Sequence, residues 1–141
     1  MSLKTRNLIF DAGVVSLYYA GAPSVKPYFD RVFTGKSRGF VSEVNLAEFY
    51  YKTAGKKGAE TAEIWYLQLR RSRLRVVAPD ESITRQAALW KVRGSGLSLA
   101  DCFALATNDT KKGILLTTDL IVKEASAKTT VHFRLPTQSR A

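Results

Sequence analysis

One cysteine (Cys102) and one histidine (His132) in 141 residues leave little room for soft-ligand chemistry. A lone Cys excludes an internal disulfide and a Cys-cluster zinc site, and a lone His excludes any site that needs two imidazoles. No apolar run approaches the roughly 20 residues of a membrane-spanning helix. Met1 to Asn7 reads as the lead into a strand rather than a secretory leader, so a cytoplasmic protein with no membrane association is expected. Four prolines, nine glycines and no biased tract argue against disorder or a repeat. Acid is also scarce: 12 Asp and Glu stand against 22 Lys and Arg, a net charge of +10. Such an excess in a small protein attracts a polyanion or an acidic protein partner.

A chain of this length buries about two-thirds of its surface on folding, enough for one unaided core. We expect one domain over residues 1–135 and a short tail over 136–141. Leu8-Ile9-Phe10 is a continuous apolar run, the pattern of a strand covered on both faces, and Asp11-Ala12-Gly13 reads as a polar turn after it. The remaining pattern alternates helices and strands. Helices are expected over Val25–Phe33, over Glu43 to about Ala54 with Ser42 as cap and Gly55 as stop, and from about Gly58 to Arg73 with Ala62, Trp65, Tyr66 and Leu69 as the apolar stripe. Further helices start at Pro79-Asp80-Glu81, with Ile83, Ala87 and Trp90 inward, at Ser98, and at Asp119. Ser98 and Asp101 have the spacing of a capping box, flanked by Leu97 and Cys102 as a hydrophobic staple. Gly39-Phe40-Val41, Arg75–Ala78, Ile114–Leu116 and an alternating Val131, Phe133, Leu135 edge segment supply the other strands. The sum is a three-layer α/β/α fold with a mostly parallel central sheet.

Four acids sit in apolar company: Asp11 after Leu-Ile-Phe, Glu48 before Phe49-Tyr50-Tyr51, Asp101 before Cys102-Phe103, and Asp119 after Leu-Leu-Thr-Thr. Burying such charges is costly unless something pairs with them. Asp11 and Asp119 follow core strands, at the edge where open α/β sheets bind ligands. Asp101 falls in a helical first turn, and Glu48 near the start of a helix that leaves the same edge. Two carboxylates 4 Å apart repel by about 4 kcal/mol at an effective dielectric of 20. A hard divalent cation, Mg²⁺ or Mn²⁺, relieves that repulsion and bridges to phosphate oxygens.

Taken in order, Leu8-Ile9-Phe10-Asp11-Ala12, Ser42-Glu43-Val44-Asn45-Leu46-Ala47-Glu48, Leu97-Ser98-Leu99-Ala100-Asp101-Cys102 and Leu115-Leu116-Thr117-Thr118-Asp119 resemble the PIN domain, in particular the small toxin ribonucleases of the VapC type. The resemblance covers nearly the whole chain. It implies a Mg²⁺- or Mn²⁺-dependent ribonuclease that uses Asp11, Glu48, Asp101 and Asp119 as metal ligands or water activators, with Ser98 and Thr117 as supporting hydroxyls. It also implies a homodimer and a small antitoxin protein as partner, with RNA as substrate. Two departures stand out. Many relatives carry a hydroxyl residue just after the first aspartate, where this chain has Ala12 and Gly13, and some carry an acid where it has Ile121, for which Glu124 is the replacement to test.

Each acid also has a plain structural reading: Asp101 as a capping-box partner, Asp119 as an N-cap, Asp11 as the cap of a turn, and Glu48 as the partner of Lys52 on a solvated polar stripe with Asn45. Arg70, Arg71, Arg73 and Arg75 either line a path for RNA or antitoxin, or simply end a helix favourably. Cys102 reads as packing and His132 as a surface residue. Gly94-Ser95-Gly96 lacks the third glycine of a nucleotide loop. Phe10-Asp11-Ala12-Gly13 is similar to a haloacid-dehalogenase phosphatase loop, but has Gly13 where the second aspartate belongs. A processing nuclease outside any toxin–antitoxin pair and a non-catalytic RNA- or protein-binding module are the alternatives to a toxin.

Overall fold

The computed structural model describes residues 6–94 and 96–135. The expected tail 136–141, most of the leader segment and Ser95 lie outside the described residues. The chain runs β1 (Asn7–Phe10), α1 (Ala12–Tyr19), α2 (Lys26–Phe33), β2 (Arg38–Ser42), α3 (Glu43–Lys57), α4 (Ala59–Arg71), β3 (Arg75–Val77), α5 (Glu81–Arg93), α6 (Leu99–Lys111), β4 (Ile114–Thr117), α7 (Leu120–Ala125), a 3-10 turn (Ala127–Thr129) and β5 (Thr130–His132).

All five strands are parallel, in the order β3-β2-β1-β4-β5. Central β1 carries the run Leu8-Ile9-Phe10 because both of its faces are covered. Leu8 and Phe10 pack with Val14, Phe29, Leu46 and Phe49 from α1, α2 and α3. Ile9 points the other way, into Ile83, Leu97, Cys102 and Leu105 around α5 and α6. Alternation along one strand thus feeds two cores, and helices close both sides of the sheet. The chain leaves β1 toward β2 on one side and reaches β4 on the other, so the strand ends of β1 and β4 flank the point where the winding reverses.

The polar turn expected at Asp11-Ala12-Gly13 is instead the start of a helix. Asp11 is its N-cap, with φ −83° and ψ 172°, and α1 follows at once. That helix buries Ala12, Val14, Val15 and Leu17, so it shows no one-sided stripe to betray it. The α3 helix runs past Gly55 to Lys57 and stops at Gly58, whose φ of 95° supplies the break. At the far edge, β5 ends at His132 and Leu135 is exposed, so the inward alternation expected there extends only to Phe133.

Candidate functional site

Asp11 sits where β1 meets α1 and is 8% exposed. Its Oδ1 accepts the Val14 N–H at 2.8 Å, and its Oδ2 accepts the Thr118 N–H at 3.2 Å from the loop after β4. Burial pushes its carboxyl up to about 6, against the Thr117 hydroxyl and the two backbone amides, and the charge of Asp101 adds to the rise. Desolvation therefore outweighs three stabilising hydrogen bonds.

Asp101 lies in the first turn of α6, locked by reciprocal bonds with Ser98: the Ser98 N–H reaches Oδ2 at 3.0 Å and the Asp101 N–H reaches Ser98 Oγ at 3.1 Å. Its carboxyl is also raised, first by burial, and then by the negative charges of Asp119 and Glu48 acting against the Ser98 bonds. Asp101 thus feels Glu48 and Asp119 and is felt by Asp11. The four acids occupy one electrostatic neighbourhood at the carboxyl ends of the strands.

Each of the four is held by the backbone it caps or by a neighbouring cation. Asp119 accepts the Ile121 N–H at 2.8 Å and N-caps α7, while its own N–H is bound by Thr117 Oγ1 at 3.0 Å. Glu48 pairs with Lys52 at 3.1 Å. Burial opposes charge on Lys52, but the bond and charge of Glu48 and the more distant Asp101 overcome it and raise its pKa. The ammonium is a built-in counter-charge. Among the described residues, no three Asp, Glu, His or Cys side chains stand together as a ready metal site. The donor chemistry nevertheless suits a hard divalent cation: all oxygen, no imidazole or thiolate, and carboxylates that raise one another's protonation.

Two residues escape the sequence reading, and a third, Lys52, stands as read, paired with Glu48. Asn45 is buried, not part of a solvated stripe; its Nδ2 donates to Ala100 O at 3.1 Å and fastens the helix of Glu48 to the helix of Asp101, leaving its Oδ1 without a partner. The only sequence signal was a polar residue one turn before Glu48. Thr118 reaches Asp11 through its amide and lays its hydroxyl over Gly13, where a Cβ would collide with it. Lys52 was legible only as a helix-surface partner.

The four arginines do not gather at this edge. Arg70 pairs with Glu43 and bonds Tyr66 Oη at 2.6 Å. Arg71 is exposed at the end of α4, Arg73 lies against Gly35, and Arg75 opens β3 with its guanidinium 5.8 Å from the Phe40 ring centroid. Glu124 lies in a depression with Trp90, Arg93 and Ile121. His132 is half-buried, and Cys102 is fully buried in the core.

A wholly parallel sheet with carboxylates following its strand ends at the winding reversal defines an α/β protein with an acidic strand-end edge. The PIN-domain family model matches residues 8–128, and the chain belongs to that family, whose nucleases generally use divalent metal ions. No curated protein sequence matches the chain. Among solved structures it is similar to a toxin–antitoxin complex from Klebsiella pneumoniae, with 13% identity, a TM-score of 0.69 and coverage of 91% of this chain and 99% of that one. It is similar also to VapC20 of Mycobacterium tuberculosis, a sarcin-ricin loop cleaving toxin, with 19% identity, a TM-score of 0.68 and coverage of 91% and 99%. FitAcB from Neisseria gonorrhoeae gives 20% identity, a TM-score of 0.65 and coverage of 89% and 96%. At these identities the likeness is one of fold. Among the described residues no helix is long and apolar enough to cross a membrane.

Proposed function

We propose that the chain is a divalent-metal-dependent endoribonuclease and the toxin of a type II toxin–antitoxin pair, acting in the cytoplasm as a homodimer, with residues 1–135 as one nuclease domain. What supports the reading is placement: Asp11 and Asp119 follow the ends of β1 and β4, Asp11 accepts the Thr118 amide beside Asp119, and Asn45 fastens the helix of Glu48 to the helix of Asp101. Asp11, Asp101 and Asp119 would hold Mg²⁺ or Mn²⁺, with Glu48, now paired with Lys52, as the fourth carboxylate that would support the ion. The cation, when bound, supplies an activated water and offsets the charge that builds on the phosphate. Thr117 fixes the Asp119 backbone and Ser98 fixes Asp101, so the hydroxyls hold the acids in place. A small antitoxin partner is supported by the structural relatives, several of which are toxin–antitoxin complexes.

Asp11→Asn is expected to abolish Mg²⁺-dependent RNA cleavage while leaving the circular dichroism spectrum unchanged; cleavage at the unsubstituted rate would refute the assignment. A non-catalytic binding module is favoured by one observation, that each acid already has a capping or ion-pair partner. That reading expects salt-dependent RNA binding and no product with any divalent ion. A processing nuclease would share the chemistry, and a gene for a small DNA-binding protein beside this one would speak for the toxin.

A further inference from the structure

Parallel strands all begin at one edge of the sheet and end at the other, and the charges divide the same way. Asp11, Glu43 and Asp119 follow the ends of β1, β2 and β4. Lys36 and Arg38 lead into β2, Arg73 and Arg75 into β3, and Lys111 and Lys112 into β4. The register sets Arg38 beside Asn7 at the start of β1. Asn7 Nδ2 donates to Lys111 O at 2.7 Å, which fastens the end of α6 to that same edge. Arg75 and Lys111 flank the Phe40 ring at 5.8 and 4.9 Å from its centroid, and Arg73 Nη1 lies 2.6 Å from where a Cβ on Gly35 would stand. The six cations therefore lie along one edge of the sheet, on either side of Asn7.

Among the described residues none of the six takes part in an ion pair, whereas Lys26, Lys52, Arg70 and Arg85 each do. Asp109, two and three positions before Lys111 and Lys112, accepts from Gln86 and Trp90, and Asp30 pairs with Lys26. Like charges held along one edge outside any ion pair are unfavourable in isolation and favour an anionic ligand. The exposed large apolar residues lie outside these segments, so a peptide partner would find no anchor for the buried contacts that dominate protein interfaces. Nucleic acid needs none, since its backbone offers a regular run of phosphate charges to cations on strands about 4.8 Å apart.

We propose that the strand-start edge, formed by Lys36, Arg38, Arg73, Arg75, Lys111 and Lys112, docks the phosphate backbone of an RNA segment remote from the bond that is cut. The choice of RNA rests on the nuclease reading; the surface itself does not. Strands of three to five residues separate the two edges by about 10–17 Å, so the substrate class is an RNA long enough, or folded enough, to touch both.

The test is fluorescence anisotropy of a labelled 30-nucleotide mixed-sequence RNA in EDTA, where binding is read without cleavage. Arg38→Gln/Lys112→Gln leaves the cations that rest on Phe40 in place. It is expected to weaken binding about tenfold at physiological salt and to lower the log–log salt slope by about 1.4. Lys56→Gln/Lys57→Gln, with the same net charge and its changes at the far end of α3, is expected to weaken binding less than twofold. Equal losses in the two variants, or none in the first, would overturn the proposal. So would a loss seen only with a labelled poly-glutamate peptide, which would mark a protein-binding surface. Failure of the nuclease reading would appear instead as no cleavage with Mg²⁺ by the unsubstituted protein, an outcome this binding assay does not depend on.

Discussion

Thr118 closes over Gly13 so tightly that a single methyl group on residue 13 would strike the Thr118 hydroxyl. The contact joins the first turn of α1 to the loop after β4, the two segments that Asp11 also bridges by accepting both the Val14 and the Thr118 amide. Gly13→Ala is therefore expected to destabilise the protein by about 1–3 kcal/mol, the usual cost of overpacking, although alanine is ordinarily the better helix former. Thr118→Ala removes the obstacle. In the double variant the Gly13→Ala penalty should shrink by at least about 1 kcal/mol, a coupling typical of residues in contact. Urea unfolding of the four proteins measures it, and additive effects would refute the contact.

The Asp11 carboxyl gives the metal-free protein an unusual pH dependence. Its value rises from 3.8 to about 6 on folding, so the folded state binds the proton more tightly than the unfolded chain does. Stability from this group is present below about pH 4 and is lost as pH rises through about 6, a change of about 3 kcal/mol. Asn is neutral at every pH and nearly isosteric, but its amide meets the Thr118 N–H less well. In EDTA, Asp11→Asn should therefore be more stable than the parent by about 1–2 kcal/mol at pH 8, and that margin should fall through zero and reverse sign by about pH 4. A margin that does not change with pH would contradict this.

Lys52 holds Glu48 through an ion pair on successive turns of α3. Such partly exposed pairs are worth about 0.3–0.5 kcal/mol, so Lys52→Ala should hardly change stability. It should strengthen Mn²⁺ binding several-fold, because it frees Glu48 and removes a positive charge from the acids' neighbourhood. Calorimetric titration with Mn²⁺ checks this, and weaker binding in the variant would show that Lys52 supports the site rather than competes for it.

What could be read from the sequence was local. The Ser98–Asp101 box, the Asp119 cap and the two-faced run Leu8-Ile9-Phe10 each depend on residues within a few positions of one another, and each stands in the structure as expected. The α1 helix was hidden because burial on nearly every side erases its periodicity. Asn45 looked solvated because nothing in its own helix shows that α6 lies against it. Gly13 and Thr118 meet across 105 positions, beyond the reach of any local pattern. The arginines read as one cluster because they are close in sequence; the direction of β3 parts them, leaving Arg70 beside Glu43 and Arg75 at the strand-start edge.

In the proposed cation site, Asp101 is the acid that unites the other three. Electron paramagnetic resonance of free Mn²⁺, titrated with the protein and with Asp101→Asn, tests it most directly, since Asn can still accept the Ser98 amide and keep the α6 cap. The unsubstituted protein is expected to deplete the free-ion signal, and Asp101→Asn to do so at least tenfold less effectively. Equal depletion by the two proteins would contradict it.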